Sequence, residues 1–131
     1  MKRNFILVGH AQVGKTTFAE SMLHICGMTS RKGSVSDGTT VSDYSADEIE
    51  RKHSINASFL FVNYKENRIQ IIDSPGYADF IGETIASLRA VDAALVMVDA
   101  VNSVEVGTEK SWGFLEETGL PCFFFINKAD K

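Results

Sequence analysis

The stretch Gly9-His10-Ala11-Gln12-Val13-Gly14-Lys15-Thr16 fits the pattern G-x-x-x-x-G-K-[ST], directly after the apolar run Phe5-Ile6-Leu7-Val8 and ahead of a helical pattern. That junction constrains the chain more than any other feature, because the pattern makes a phosphate cradle when a strand precedes it and a helix follows. Glycines let the backbone curl so that successive N–H groups point inward, and the helix adds the positive end of its dipole. His10, Ala11, Gln12, Val13, Gly14, Lys15, Thr16 and Thr17 are therefore expected to wrap phosphates. Lys15 should reach the β- and γ-phosphates, and the Thr16 hydroxyl is placed to ligate Mg²⁺. Taken alone, the pattern also fits an ordinary glycine turn between a strand and a helix.

With 131 residues, 44% hydrophobic and 23% charged, the chain suits a single globular domain with a real core. Seventeen acidic against thirteen basic residues leave a formal charge of −4, so no broad attraction to nucleic acid, DNA included, or to an anionic membrane is expected beyond what a local basic patch could give. Cys26 and Cys122 lie in apolar company without C-x-x-C spacing, which points to buried thiols rather than a disulfide or a metal site. The apolar run before Gly9 is too short for a signal-peptide core or a membrane span, and the expected compartment is the cytoplasm.

Phe5 to Val8 reads as a parallel strand covered on both faces. From Lys15 onward, Phe18, Ala19, Met22, Leu23, Ile25 and Cys26 recur at helical spacing, with Gly27 as the C′ residue. Between Thr29 and about Lys52 almost no apolar residue occurs, so nothing there is expected as a core element; a segment this long is functional or mobile. Ala57–Tyr64 and Arg68–Ile72 form a hairpin around Lys65-Glu66-Asn67, antiparallel to the main sheet direction. Ile81, Ile85 and Leu88 mark an amphipathic helix, and Ala93–Val98 a further strand ending at Asp99. Val104, Thr108, Trp112 and Leu115 mark a helix that stops near Gly119, with Trp112 read as core. Cys122–Ile126 is a last apolar strand. The architecture is α/β: a mostly parallel sheet with one antiparallel strand and helices on both faces.

Two more motifs sit at strand ends. Asp73-Ser74-Pro75-Gly76-Tyr77 places a carboxylate where it can hold a Mg²⁺-bound water, and Gly76 can offer its N–H to a γ-phosphate. Asn127-Lys128-Ala129-Asp130 leaves the last strand. Guanine presents N1–H and an N2 amine side by side, and the Asp130 carboxylate can accept both; adenine would leave that carboxylate unmatched. GTP and GDP are the expected ligands, with the Lys128 stem across the base and Asn127 tying its loop to the cradle.

Together these motifs resemble a translational GTPase of the P-loop NTPase fold, and elongation factor G and its relatives in particular. The likeness is carried by residues 9–17, by Asp73 to Phe80, by Val98-Asp99-Ala100 and by residues 127–130. Within the polar segment, Glu48 to Ile55 is similar to the family's first switch, which the resemblance places at about 29–55. It aligns Ser54 with the family's Mg²⁺-binding threonine. The resemblance implies GTP hydrolysis coupled to the ribosome, Mg²⁺ held by Thr16, Ser54 and Asp73, and a catalytic set of Lys15, Ser54, Gly76 and Tyr77. It also implies that the chain is the front of a longer protein, ending before the final strand of its sheet.

Three departures stand out. Tyr77 takes the place of the family's histidine, and a phenol is a poor proton acceptor at neutral pH. Gln12 replaces an aspartate of the cradle, and Lys52-His53 replaces Gly-Ile. Accordingly, a GTP-dependent binding switch with little hydrolysis is the alternative reading. No carboxylate partner can be read for His10, His24 or His53, and none is given a catalytic role.

Overall fold

The computed structural model describes residues 2–131. Its sheet has the order β2-β3-β1-β4-β5, formed by β1 (Lys2–Val8), β2 (Ser58–Tyr64), β3 (Asn67–Asp73), β4 (Ala93–Asp99) and β5 (Cys122–Asn127). β3, β1, β4 and β5 run parallel, while β2 is antiparallel to β3 at one edge. The hairpin, the parallel strands and the strand ends at Asp73 and Asp99 follow the sequence reading.

Alternation along the strands sorts the core into two faces. On one, Leu7, Leu60, Val62, Ile71 and Met97 pack with Ala19 and Leu23 of α1 (Lys15–Ile25). On the other, Ile6, Val8, Ile72, Val96 and Val98 meet Leu88 of α3 (Ile81–Leu88) and Leu115 of α4 (Val106–Thr118). Helices on both faces force the chain to reverse its direction of travel across the sheet at β1. The loop after β1 therefore opens at the carboxyl edge, in the crevice where such folds bind ligands.

Two side chains depart from their expected places. Ile25 is 80% exposed at the last position of α1, so it lies off the apolar stripe, which continues from Leu23 to Cys26. Trp112 is not a core residue. It is 36% exposed and stacks on Phe124 of β5, with ring centroids 5.5 Å apart. Both cysteines are free and half-buried. No helix among the described residues is long and apolar enough to cross a membrane.

The polar segment is more ordered than its composition suggests, because buried carboxylates replace apolar contacts. Glu20 of α1 is fully buried and accepts hydrogen bonds from the backbone N–H groups of Gly33 at 3.0 Å and Val41 at 2.6 Å. A short helix, α2 (Ala46–Arg51), begins with a capping box in which Ser45 and Glu48 satisfy each other's backbone N–H groups. Glu48 is also fully buried, and its other oxygen accepts the N–H groups of Ile55 and Asn56, each at 3.0 Å. Burial alone would raise the Glu48 pKa; these bonds outweigh it and hold the carboxyl below its ordinary value. The expectation that nothing in this segment is buried as a core element is corrected: Ser42, Asp43 and Glu48 are buried through polar contacts, and α2 and its anchors were not foreseen.

Candidate functional site

The cradle is built at the junction that the sequence marks. Gly14 has φ 100, and a Cβ there would strike Nδ2 of Asn127, so a side chain is excluded both by conformation and by the incoming loop. Val13 is fully buried and anchors the cradle in the α1 face of the core. His10 turns its ring outward: Nδ1 accepts the backbone N–H of Gly107 at 3.1 Å, and Nε2 lies 3.5 Å from Glu105. The partner that His10 lacks in sequence is thus supplied from the start of α4.

Lys15 is 6% exposed, and its Nζ donates to the carbonyls of Gly9 at 3.0 Å and His10 at 2.8 Å. Burial pulls its amine down from 10.5 to about 8, with the nearby Asp73 carboxylate opposing that shift. Asp73, at the end of β3, accepts the Thr16 hydroxyl at 2.7 Å. Thr16 in turn lies 3.1 Å from the Ser54 hydroxyl, which donates to Asp43 at 2.7 Å. The three expected metal-facing residues therefore meet, although 38 and 57 positions separate Thr16 from its partners.

Asp43 joins this cluster from the polar segment and was missed. It is 4% exposed, and burial raises its pKa against the hydrogen bond from Ser54. Its Oδ2 and the Oδ1 of Asp73 are buried without a hydrogen-bond partner. Two half-satisfied carboxylates beside two hydroxyls form a hard oxygen donor set of the kind that suits a small divalent cation. Nothing in the local sequence around Asp43 marks it, since its role depends on the fold of the polar segment.

Gly76 approaches the cradle so closely that a Cβ would lie 2.6 Å from Cα of Ala11 and 2.5 Å from Nζ of Lys15. Its loop is tied to β1 by the Ser74 hydroxyl, which donates to the Leu7 carbonyl at 2.6 Å. Tyr77 follows, with its phenol oxygen 3.3 Å from Nε2 of Gln12. A cavity of about 220 Å³ lies among these groups, lined by Ala11, Gln12, Gly14, Lys15, Thr16, Thr17, Ser54, Gly76 and Tyr77 together with Asp43 and His53.

The third loop reaches the same edge. Nδ2 of Asn127 donates to the Val13 carbonyl at 2.8 Å, and Nζ of Lys128 donates to the Gln12 carbonyl at 2.9 Å. Lys128 also pairs with buried Asp99 at 2.6 Å. The hydrogen bond from Lys128 and the Val101 N–H hold the Asp99 carboxyl below its ordinary value. Asp99 is a second residue the sequence reading did not place in the site; its position at a strand end beside the Asn-Lys-x-Asp strand was the available signal. Asp130 stands exposed in the turn beyond β5, outside the 220 Å³ cavity.

A glycine cradle at the reversal point of a mostly parallel sheet, with two further motif loops gathered on it, defines the P-loop GTPase class. The chain belongs to the elongation factor Tu GTP binding domain family, whose model matches residues 1–131. It is 41% identical over 129 residues to the mitochondrial ribosome-releasing factor 2 of Debaryomyces hansenii, a match over 98% of this chain and 15% of that protein. To elongation factor G 2 of Streptomyces coelicolor it is 39% identical over 129 residues, again 98% of this chain and 19% of the relative. A crystal structure of a protein from Thermus thermophilus matches with a TM-score of 0.93 at 40% identity, covering 95% of this chain and 19% of that one. The chain thus spans between 15% and 19% of the length of these proteins.

These relatives correct one expectation. The protein from Debaryomyces hansenii, like those from Candida albicans and Danio rerio, is named as mitochondrial, which overturns the cytoplasmic reading. That reading tested for an apolar targeting core, whereas a mitochondrial address is amphipathic and rich in arginine, so the test is blind to it.

The buried pair Lys15 and Asp73 has a measurable consequence. Burial pushes the Asp73 carboxyl from 3.8 up to about 6, partly opposed by the Thr16 hydroxyl and by Lys15. Because the folded value is the higher one, the stability linked to this group is fully present below the unfolded value and is lost as pH rises through about 6. The full difference is about 3 kcal/mol. In urea denaturation without nucleotide or divalent cation, lowering the pH from 7 to 5.5 should stabilise the wild type by about 1 kcal/mol relative to Asp73→Asn. Parallel pH profiles for the two proteins would refute this.

Proposed function

We propose that this chain is the GTP-binding and GTP-hydrolysing domain of an elongation-factor-G-like translational GTPase that works with the ribosome. The observation that carries the reading is the hydrogen bond from Asn127 to the Val13 carbonyl at 2.8 Å, which brings the base-reading loop onto the phosphate cradle. The names of the relatives, a ribosome-releasing factor and an elongation factor, support the ribosome as partner.

In this reading the backbone N–H groups of residues 10–17 surround the phosphates. Phosphate oxygens compete with the Gly9 and His10 carbonyls for the Lys15 amine, which gains a charged acceptor in a water-poor site. Asp130 reads guanine, while Asn127 and Lys128 hold its loop against the cradle. Thr16, Ser54 and Asp73 would hold Mg²⁺ with Asp43 beside them, and the orphaned oxygens of Asp73 and Asp43 fit that task. Bound there, the ion would offset charge on the phosphate oxygens. Gly76 presents its N–H to the third phosphate, and Tyr77 orients water at the cavity mouth. Positioning and charge stabilisation suffice for phosphoryl transfer, and no side-chain base is required.

Residues 1–131 act as one domain, with the segment of about 29–55 as the part that responds to the third phosphate. Hydrolysis by the full-length protein should be slow alone and rise on addition of ribosomes. Bound fluorescent GDP should be displaced by excess GDP and not by ADP. Displacement by ADP would point instead to an ATP-using P-loop enzyme, and GTP binding without ribosome-stimulated turnover would leave a binding switch.

A further inference from the structure

We propose that His53 is a positioning residue for GTP hydrolysis, acting through Tyr77; the role rests on the hydrolytic reading above. Its imidazole packs on the Tyr77 ring with centroids 4.5 Å apart and planes inclined by 48°. Phe80 backs the same imidazole at 6.2 Å. The ring is also held in place, since Nδ1 lies 3.3 Å from the Ser54 carbonyl and is thereby the donating nitrogen.

The backbone that delivers His53 is specific. Lys52 closes α2 in the left-handed conformation at φ 56, and the His53 N–H then donates to the Glu48 carbonyl at 3.3 Å. This turn aims the imidazole into the cavity that Lys15, Thr16 and Gly76 line. Tyr77 is consequently gripped from two sides, by the Gln12 amide at its oxygen and by His53 at its ring face. The Gln12 contact is long at 3.3 Å and exposed, so it leaves the phenol free to swing unless the ring is also packed.

His53 adjoins Ser54, which meets Thr16, while Tyr77 adjoins Gly76, which meets Ala11 and Lys15. The ring pair thus joins the polar segment to the loop after β3 across the cavity mouth. Folding of the segment around Glu48 is what places His53, so the phenol is oriented only when the segment is closed. A residue that acts in this way should affect turnover of bound nucleotide and leave its affinity alone.

The test uses the full-length protein with ribosomes, under single turnover with saturating GTP. His53→Ala should slow hydrolysis about tenfold, the scale of one aromatic pair, with GTP affinity changed by less than about twofold. His53→Phe, which keeps a ring and loses both nitrogens, should recover the rate to within about threefold of wild type. In a Tyr77→Ala background, His53→Ala should cost less than about twofold, because the residue through which it acts is gone. An equal loss in both backgrounds, a parallel loss of affinity, or a His53→Phe variant as slow as His53→Ala would overturn the proposal. The pairing has a readout that needs no turnover: the His53 ring protons should carry a ring-current shift that disappears in Tyr77→Leu, and unmoved resonances would overturn it. With that shift present, absence of any ribosome-stimulated hydrolysis would overturn the hydrolytic reading, and His53's role with it. Stimulated hydrolysis with uncoupled substitutions would overturn His53 alone.

Discussion

Replacing Lys15 with alanine should lower ribosome-stimulated GTP hydrolysis by about a thousandfold, the upper range for loss of one charged transition-state donor. The amine lies close against the Gly76 loop, where a Cβ at Gly76 would come within 2.5 Å of it. It is 6% exposed, and its pKa near 8 leaves it mostly protonated at neutral pH despite the burial. A charge held at such a site is not screened by water, so its interaction with developing charge on a phosphate oxygen is strong. Lys15→Arg should not restore activity, because a planar guanidinium does not reproduce the compact ammonium point charge at the same position. Single-turnover assays with wild type and both variants check the result, with circular dichroism to establish that the fold survives. Hydrolysis within tenfold of wild type for Lys15→Ala would remove the amine from the proposed chemistry.

The second large effect concerns the base. Asp130→Asn should weaken GTP and GDP binding by about a hundredfold, because one acceptor facing the guanine N1–H and N2 amine becomes a donor. The same exchange should favour xanthine nucleotides, whose carbonyl at the position of the guanine amine accepts where guanine donates. Asp130 is exposed in a turn, so stability should stay within about 0.5 kcal/mol of wild type. Titration calorimetry with GDP and with xanthosine diphosphate on the full-length protein tests both halves. Unchanged GDP affinity would take Asp130 out of the base pocket and remove the basis for guanine over adenine.

Much of this site was legible because its chemistry is written in short runs. Gly9 to Thr16, Asp73 to Tyr77 and Asn127 to Asp130 each pair a strand end with residues whose chemistry is local, and the parallel order of β1, β3, β4 and β5 gathers such ends at one edge. Asp43, Asp99 and Glu105 were not legible in the same way. Each acquires its role from a partner that only the fold brings to it: Ser54 for Asp43, Lys128 for Asp99 and His10 for Glu105. A carboxylate in a polar stretch reads as solvated until folding buries it. α2 is a different case, since Ser45-x-x-Glu48 is a capping signature present in the chain and passed over for want of apolar residues. Trp112 misled in the opposite direction: helical spacing put it on an inner face, yet that face looks onto edge strand β5, whose aromatic side chains are themselves partly open.

Thr16 and Glu20 stand four residues apart on α1, and therefore on the same side of one helical turn. The first contacts Asp73 and Ser54; the second holds the N–H groups of Gly33 and Val41. A single rigid strut thus carries the Thr16 hydroxyl at one end and the mooring of residues 33–41 about 6 Å further along. Any tilt imposed on α1 by what settles in the cradle is passed to that stretch as leverage, without a relay of intervening side chains.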